Sequence, residues 1–306
     1  MAEVRFEGVF PILVTPFDAR GGVDLDSFAR VIRFAREVGV DGVTILGVLG
    51  EANRMVDAER EALIEGAVAT AEGELPIVVG TSHSGTAATQ MLSQTAEALG
   101  AQGVMVSPSR EPVPNEGRIF EYFQHVAEGT SLPIVVQDHP ASTQVHMSVP
   151  LMLKLVSEIP TVACIKEEAA PTPPKITALL DGMGGRRVPI LSGLGALYGF
   201  FDLNRGTDGF MTGFAFPEVL LALVAEAKEG HFDRVFEIYR RFLPLIVFEQ
   251  QPGVAVRKEI YRLRGLIESG TVRHPGGSID ERTRGQVREV LEWVLGDTDI
   301  TRPIEI

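Results

Sequence analysis

The chain has 306 residues, 45% of them hydrophobic, enough to bury a large core as one α/β barrel or as two smaller domains. Its 28 basic against 41 acidic side chains give a net charge of -13, which opposes docking on nucleic acid or an anionic membrane and leaves a small molecule as the expected partner. A lone cysteine, Cys164, excludes an internal disulfide and a cysteine metal cluster.

In chain order, short apolar runs at 9–14, 42–47, 76–80, 103–106, 133–136, 162–165, 188–191 and 209–212 are each bounded by Gly, Pro or polar residues and predict eight buried strands. Between them, segments such as 24–38, 57–71, 86–99 and 117–128 place apolar residues at helical spacing. Asp57 is the expected N-cap of one helix, and Gly39 and Gly100 are expected to close two others. Eight regularly alternating units favour a closed (β/α)8 TIM barrel over an open doubly wound sheet. Residues 232–242, 254–267 and 280–295 add three helical patterns without a strand. The expected organisation is therefore a barrel over 1–228 and a C-terminal helical region over 229–306, packed together as one body.

Residues 1–8 carry Glu3, Arg5 and Glu7 and do not read as a signal peptide. Every apolar run is too short for a membrane span, which needs ~18 residues or more. With the lone cysteine, this gives the expectation of a soluble, cytoplasmic protein.

In a barrel of this type the chemistry sits where the strands end at their C-terminal side. The groups there are Thr15, Gly50 with Glu51, Ser82 with His83, Ser107 with Ser109, Gln137 to His139, Lys166 with Glu167, Ser192 with Gly193, and Thr212 with Gly213. Lys166 stands out. The chain has five lysines, and the other four, Lys154, Lys175, Lys228 and Lys258, lie in polar or helical contexts. Strand alternation puts Lys166 on the face of Cys164, inside the barrel. Burial disfavours an ammonium, and a neutral amine can condense with a ketone to an imine that acts as an electron sink. The bland alternative is a lysine that merely pairs with Glu167 or another acid in a barrel layer. Glu167 and Glu168 are adjacent, so their side chains diverge, and they read as supporting residues.

Residues 8–17 (GVFPILVTPF), 47–55 (GVLGEANRM) and 162–167 (VACIKE) resemble the first strand, the substrate-carboxylate loop and the lysine strand of the dihydrodipicolinate synthase and N-acetylneuraminate lyase family. The resemblance covers nearly the whole chain. It implies an imine at Lys166, a C-terminal helical region and a homotetramer or a related oligomer. Three departures stand out. Gln137 and Asp138 occupy the places where that family usually has tyrosine and asparagine. Val48 and Leu49 replace its two adjacent hydroxyl residues, so only backbone N–H groups remain to bind there. Ala141 and Ser142 follow Pro140 where synthases place an arginine. Dihydrodipicolinate synthase activity is therefore not expected. Gln137 with Asp138, residues 140–142 and residues 81–83 instead resemble the 2-keto-3-deoxyarabonate dehydratase branch.

The resulting expectation is a metal-independent, cofactor-free lyase acting on a small 2-oxo acid, foremost a 2-keto-3-deoxy sugar acid that it dehydrates. Its catalytic candidates are Lys166, Gln137, His139 and His83, with a histidine taking the acid–base work. Its substrate-binding candidates are Thr15, Val48, Leu49, Gly50, Ser82, Ser192, Gly193, Thr212 and Gly213. The rivals are a pyruvate-dependent aldolase of the same family, a barrel that only binds a 2-oxo acid, and, more remotely, a metal-dependent aldolase, although no H-E-x-x-H spacing occurs.

Overall fold

Eight parallel strands line up in the order β1-β8-β7-β6-β5-β4-β3-β2. They are β1 (Gly8–Pro11), β2 (Val43–Ile45), β3 (Ile77–Gly80), β4 (Gly103–Val106), β5 (Ile134–Asp138), β6 (Val162–Glu167), β7 (Ile190–Ser192) and β8 (Gly209–Thr212). The two end strands meet at a parallel bridge between Ile12 and Thr44, and the Leu13 N–H donates to the Thr44 carbonyl at 2.9 Å. The sheet thus closes on itself as a TIM barrel. This is a computed structural model, and it describes residues 4–111, 115–251 and 253–306. Residues 1–3 and 112–114 of the expected barrel unit, and 252 of the helical one, lie outside the described residues.

Alternation along each strand sorts the side chains into two layers. Phe10, Ile12, Val78, Met105, Val135, Cys164, Leu191 and Met211 fill the barrel interior. Their neighbours in sequence, such as Val9, Val79, Val104, Val136, Ile165 and Ile190, pack outward in the core that also holds the helices. Those helices are α1 (Leu25–Val38), α2 (Asp57–Ala71), α3 (Thr86–Ala98), α4 (Glu116–Glu128), the single turn α5 (Pro140–Thr143), α6 (Val149–Glu158), α7 (Thr172–Gly182), α8 (Gly199–Asn204) and α9 (Pro217–Lys228). Asp24 caps α1 by accepting from the Ser27 N–H, and Gly39 ends it at φ 81°. At α2 the cap differs from expectation. Asp57 is the first helical residue and Val56 the cap, because Glu59 reaches back to the Val56 N–H at 3.1 Å.

The C-terminal extension comprises α10 (Phe232–Glu249), α11 (Val254–Leu263) and α12 (Glu281–Leu295). The predicted end of α10 at Phe242 falls short. Pro244 removes one backbone donor, yet buried Leu245, Ile246 and Glu249 carry the helix through it. This added turn brings Glu249 to the barrel mouth. Two buried cations then tie the extension to the barrel: Lys258 reaches Glu51 at 2.5 Å and Arg264 reaches Glu218 at 2.5 Å; a third, Arg257, bonds Glu249 within the extension, and Glu249 accepts from the Ala215 N–H of the barrel at 3.1 Å. Each charge is paired, as burial requires. No helix among the described residues is long and apolar enough to cross a membrane.

Candidate active site

Lys166 continues the inward series set by Cys164 and is 4% exposed at the barrel mouth. Its strand neighbour in register is Gln137 on β5. The backbone ladder runs one residue past β6, with the Glu168 N–H donating to the Asp138 carbonyl at 3.0 Å. Glu168 therefore points inward like Lys166, and its Oε2 lies 3.0 Å from Lys166 Nζ. The same oxygen accepts from Gln137 Nε2 at 2.6 Å and lies 3.9 Å from His139 Nδ1. The Leu194 N–H donates to the other carboxylate oxygen at 2.9 Å. Burial pushes the Glu168 carboxyl up, but Lys166, His139, Gln137 and this N–H outweigh it and hold the group below its ordinary range. Burial also holds the His139 ring below its usual value, against the opposing pull of the Glu168 carboxylate.

Glu168 fits only because residue 193 is glycine. A Cβ on Gly193 would lie 2.1 Å from Glu168 Cγ. Gly193→Ala is therefore expected to displace the carboxylate, destabilising the fold by about 1–3 kcal/mol and lowering turnover on the order of 100-fold. Urea denaturation and steady-state kinetics check the two effects separately.

A cavity of about 110 Å³ opens beside the pair, lined by Lys166, Glu168, Gln137, His139, Val48, Leu49, Thr212 and Gly213 from the barrel and by Glu249, Gln250 and Arg257 from the extension. That is well below the ~300 Å³ of pockets for drug-sized ligands and suits a molecule of a few carbons. A larger cleft of about 810 Å³ lies between Ser84, Ser109, Tyr122 and Gln144, away from Lys166. It is without the convergent buried polar groups that mark the lysine cavity.

Of the residues predicted from sequence, Lys166, Gln137, His139, Val48, Leu49, Thr212 and Gly213 come together around this cavity. The others stand apart from its lining. His83 is exposed, and its Nδ1 accepts from the Gly85 N–H at 2.9 Å. Ser82 is exposed and accepts from the Ser107 N–H at 2.9 Å. The Thr15 hydroxyl donates to the Gly50 carbonyl at 2.7 Å, so both shape the loop after β2. Ser192 is fully buried and donates to Asp202, outside the barrel, as its alternation with inward Leu191 dictates. Gly193 acts from behind Glu168. Glu168, Glu249, Gln250 and Arg257 are the lining residues with charged or amide side chains that the sequence reading left off its candidate list. Alternation from Lys166 could have found Glu168, but no sequence signal marks the three from the extension.

The outward partners of the site form a second buried cluster. Asp138 bonds Lys175, and Glu167 lies 3.9 Å from the same ammonium. Burial and the adjacent Asp138 push the Glu167 carboxyl up to about 8. The fold thus keeps a proton that the unfolded chain releases near the ordinary value of 4.5. The resulting stability is fully present below that value and is lost as pH rises through about 8. Glu167→Gln, neutral at every pH, is expected to flatten this slope and to exceed wild type at about pH 8 by on the order of 1 kcal/mol, measured by urea denaturation across pH.

Fold and site together define a class, a (β/α)8 barrel with a buried, carboxylate-paired lysine at its mouth. The chain belongs to the Dihydrodipicolinate synthetase family, whose sequence pattern matches residues 5–294. It is 33% identical over 288 residues to L-2-keto-3-deoxyarabonate dehydratase of Azospirillum brasilense, covering 92% of this chain and 93% of that protein. It is 30% identical over 293 residues to 4-hydroxy-tetrahydrodipicolinate synthase of Thermotoga petrophila, covering 94% and 98%. The crystal structure of dihydrodipicolinate synthase from Rhodopseudomonas palustris superposes with a TM-score of 0.89 at 35% identity, covering 94% of this chain and 97% of that one. A lyase role follows from this membership.

Proposed function

We propose that the protein is an imine-forming dehydratase of a 2-keto-3-deoxy sugar acid. The observation that carries this reading is the 3.0 Å approach of Glu168 Oε2 to Lys166 Nζ inside the cavity. Glu168 is the base for the lysine proton, so the amine attacks the substrate C2 carbonyl; the same proton then passes to the carbinolamine hydroxyl, which leaves as water as the protonated imine forms and Glu168 is again a carboxylate. The protonated imine then draws electrons from C3. Glu168 takes the C3 proton, and the C–H pair becomes the C2–C3 double bond of an enamine. That pair returns to form a C3–C4 double bond, the C4–O bond breaks, and the departing hydroxide takes the proton from Glu168 and leaves as water.

Gln137 keeps the carboxylate aimed through its 2.6 Å hydrogen bond. His139, hydrogen-bonded through Nδ1 to the Ser142 hydroxyl at 2.8 Å and 3.9 Å from Glu168, is the histidine we assign to assist the acid–base work. His83 has no part in this scheme. The 33% identity to a keto-deoxy-arabonate dehydratase supports the choice of dehydration. In this reading the enzyme needs no metal or cofactor and works as a cytoplasmic homotetramer, which light scattering checks.

The test is incubation with pyruvate or a 2-keto-3-deoxy sugar acid followed by borohydride and peptide mass mapping. A reduced adduct on Lys166 is the expected result, and no adduct with any 2-oxo acid sinks the proposal in favour of a barrel that only binds. Product analysis then divides the lyases. Release of pyruvate from the sugar acid points to carbon–carbon cleavage, whereas an oxo acid of unchanged carbon number points to dehydration. Turnover that survives a chelator excludes the metal-dependent aldolase.

A further inference from the structure

The turn that follows β2 supplies Val48 and Leu49 to the lining of the lysine cavity. It is closed by the Glu51 N–H, which donates to the Val48 carbonyl at 3.1 Å. The N–H groups of Val48, Leu49 and Gly50 donate to no acceptor among the described residues, so three successive backbone donors remain for an anion. Such donors bind only in the directions the chain gives them, so their use depends on how firmly the turn is held. The turn ends in a backbone state that needs holding. Glu51 has φ 55° and ψ 32°, a left-handed conformation that a residue other than glycine keeps only when its surroundings fix it.

The Glu51 side chain is buried, and both of its oxygens are held. Oε1 accepts from Lys258 Nζ at 2.5 Å, and Oε2 accepts from Arg54 Nη1 at 2.6 Å and from the Arg273 N–H at 3.0 Å. Lys258 and Arg273 both belong to the C-terminal extension. Lys258 lies on α11 and is fully buried, and its ammonium also donates to the Thr271 carbonyl at 2.8 Å and stands 4.2 Å from the centre of the Phe17 ring. From the barrel side, the Thr15 hydroxyl donates to the Gly50 carbonyl at 2.7 Å. The peptide between Gly50 and Glu51 is therefore gripped from two directions. A buried ion pair adds little stability over an apolar contact of the same volume, and its best-attested use is to fix one geometry. Joining the extension to the barrel does not require Lys258, because Arg264 and Glu218 make a second such pair and neither lines the lysine cavity.

We infer that Lys258 is a positioning residue for substrate binding: from the C-terminal extension it holds Glu51, and through Glu51 the turn whose N–H groups receive the substrate carboxylate. This rests on the imine reading above and extends it to a residue that touches neither the substrate nor Lys166. The extension then sets the preference of the site for an acid over a neutral ketone, while the condensation itself stays with the barrel.

The experiment compares pyruvate with pyruvamide, which keeps the ketone and lacks the anion. Each is titrated against the protein in the presence of cyanoborohydride, and the Lys166 adduct is quantified by mass. Wild type is expected to half-saturate with pyruvate at a concentration on the order of 10- to 100-fold below that for pyruvamide. In Lys258→Met, Glu51 keeps Arg54 and the Arg273 N–H, so its charge is not stranded. There the pyruvate value is expected to rise on the order of 10-fold, with pyruvamide half-saturation and the maximal trapping rate unchanged. Arg54→Gln loosens the other carboxylate oxygen at a partly exposed position, and it is expected to shrink the preference roughly 3-fold; it carries the test if Lys258→Met does not fold. The double variant Arg264→Met with Glu218→Gln removes the second buried pair and is expected to keep the wild-type preference. A preference that survives in the folded Lys258 and Arg54 variants overturns the inference. So does an equal loss in the Arg264 and Glu218 variant, which assigns the effect to general loosening of the extension, and so does equal half-saturation by the two ketones in wild type. Absence of any adduct in wild type overturns the imine reading itself, an outcome distinct from these.

Discussion

Lys166→Arg is expected to reduce turnover at least about 10⁴-fold and to abolish the borohydride adduct while leaving the fold intact. The two parts of that expectation come from different properties of the side chain. An arginine keeps a cation beside Glu168, so the buried carboxylate retains a partner and the protein stays folded. A guanidinium stays protonated at every accessible pH, so it offers no nucleophile to a ketone. Lys166→Ala removes both properties at once. It is expected to lose the chemistry to the same degree and, in addition, about 3–5 kcal/mol of stability, because Glu168 is 6% exposed and loses the cation beside it. Circular dichroism, urea denaturation and adduct mapping on the two variants separate chemistry from charge pairing. Turnover in Lys166→Arg near the wild-type rate refutes the mechanism outright.

Glu168→Gln has the second largest expected effect, a loss of about 10²- to 10⁴-fold in kcat. Its signature is the pH profile. The carboxyl is held below its ordinary range, so it is an ionised base throughout the neutral region, and activity falls only as pH drops through that depressed value. The stability it contributes follows the same direction, being present above the unfolded value and lost as pH falls through the folded one. In Glu168→Gln this acid limb is expected to disappear from the residual kcat. Trapping of pyruvate on Lys166, read at equilibrium, is expected to persist in this variant while turnover stays low. A residue that merely supported the loop would lower both together. An acid limb that persists unchanged in the variant assigns it to some other group.

Glu168 also shows where sequence reading stops short. The alternation that pointed Lys166 into the barrel points residue 168 the same way, but only if the strand geometry continues beyond β6. The hydrogen bond from the Glu168 N–H to the Asp138 carbonyl makes it continue, and that bond depends on β5 being the neighbour. Ser192 is the opposite case. It ends β7, as a candidate ligand should, yet register places Leu191 inward and turns the hydroxyl to Asp202. His83 has suitable chemistry at the end of the third strand, but it sits exposed, with its ring Nδ1 accepting from the Gly85 N–H.

Motifs at 8–17, 47–55 and 162–167 carried the family resemblance, and the amino-acid sequence by itself determined the eight strands, their helices, the closed barrel and the inward lysine. These follow from local periodicity, alternation and punctuation, which a chain carries wherever its segments end up. Only the tertiary structure decided which groups meet at Lys166. Glu168 depends on strand pairing, Gly193 on how closely two loops approach, Glu249 on a helix that continues through Pro244 to a mouth formed more than 80 residues earlier by β6, and Arg257 on the packing of α11 against that helix. Contacts between distant segments are set by packing of the whole, and no local pattern records them.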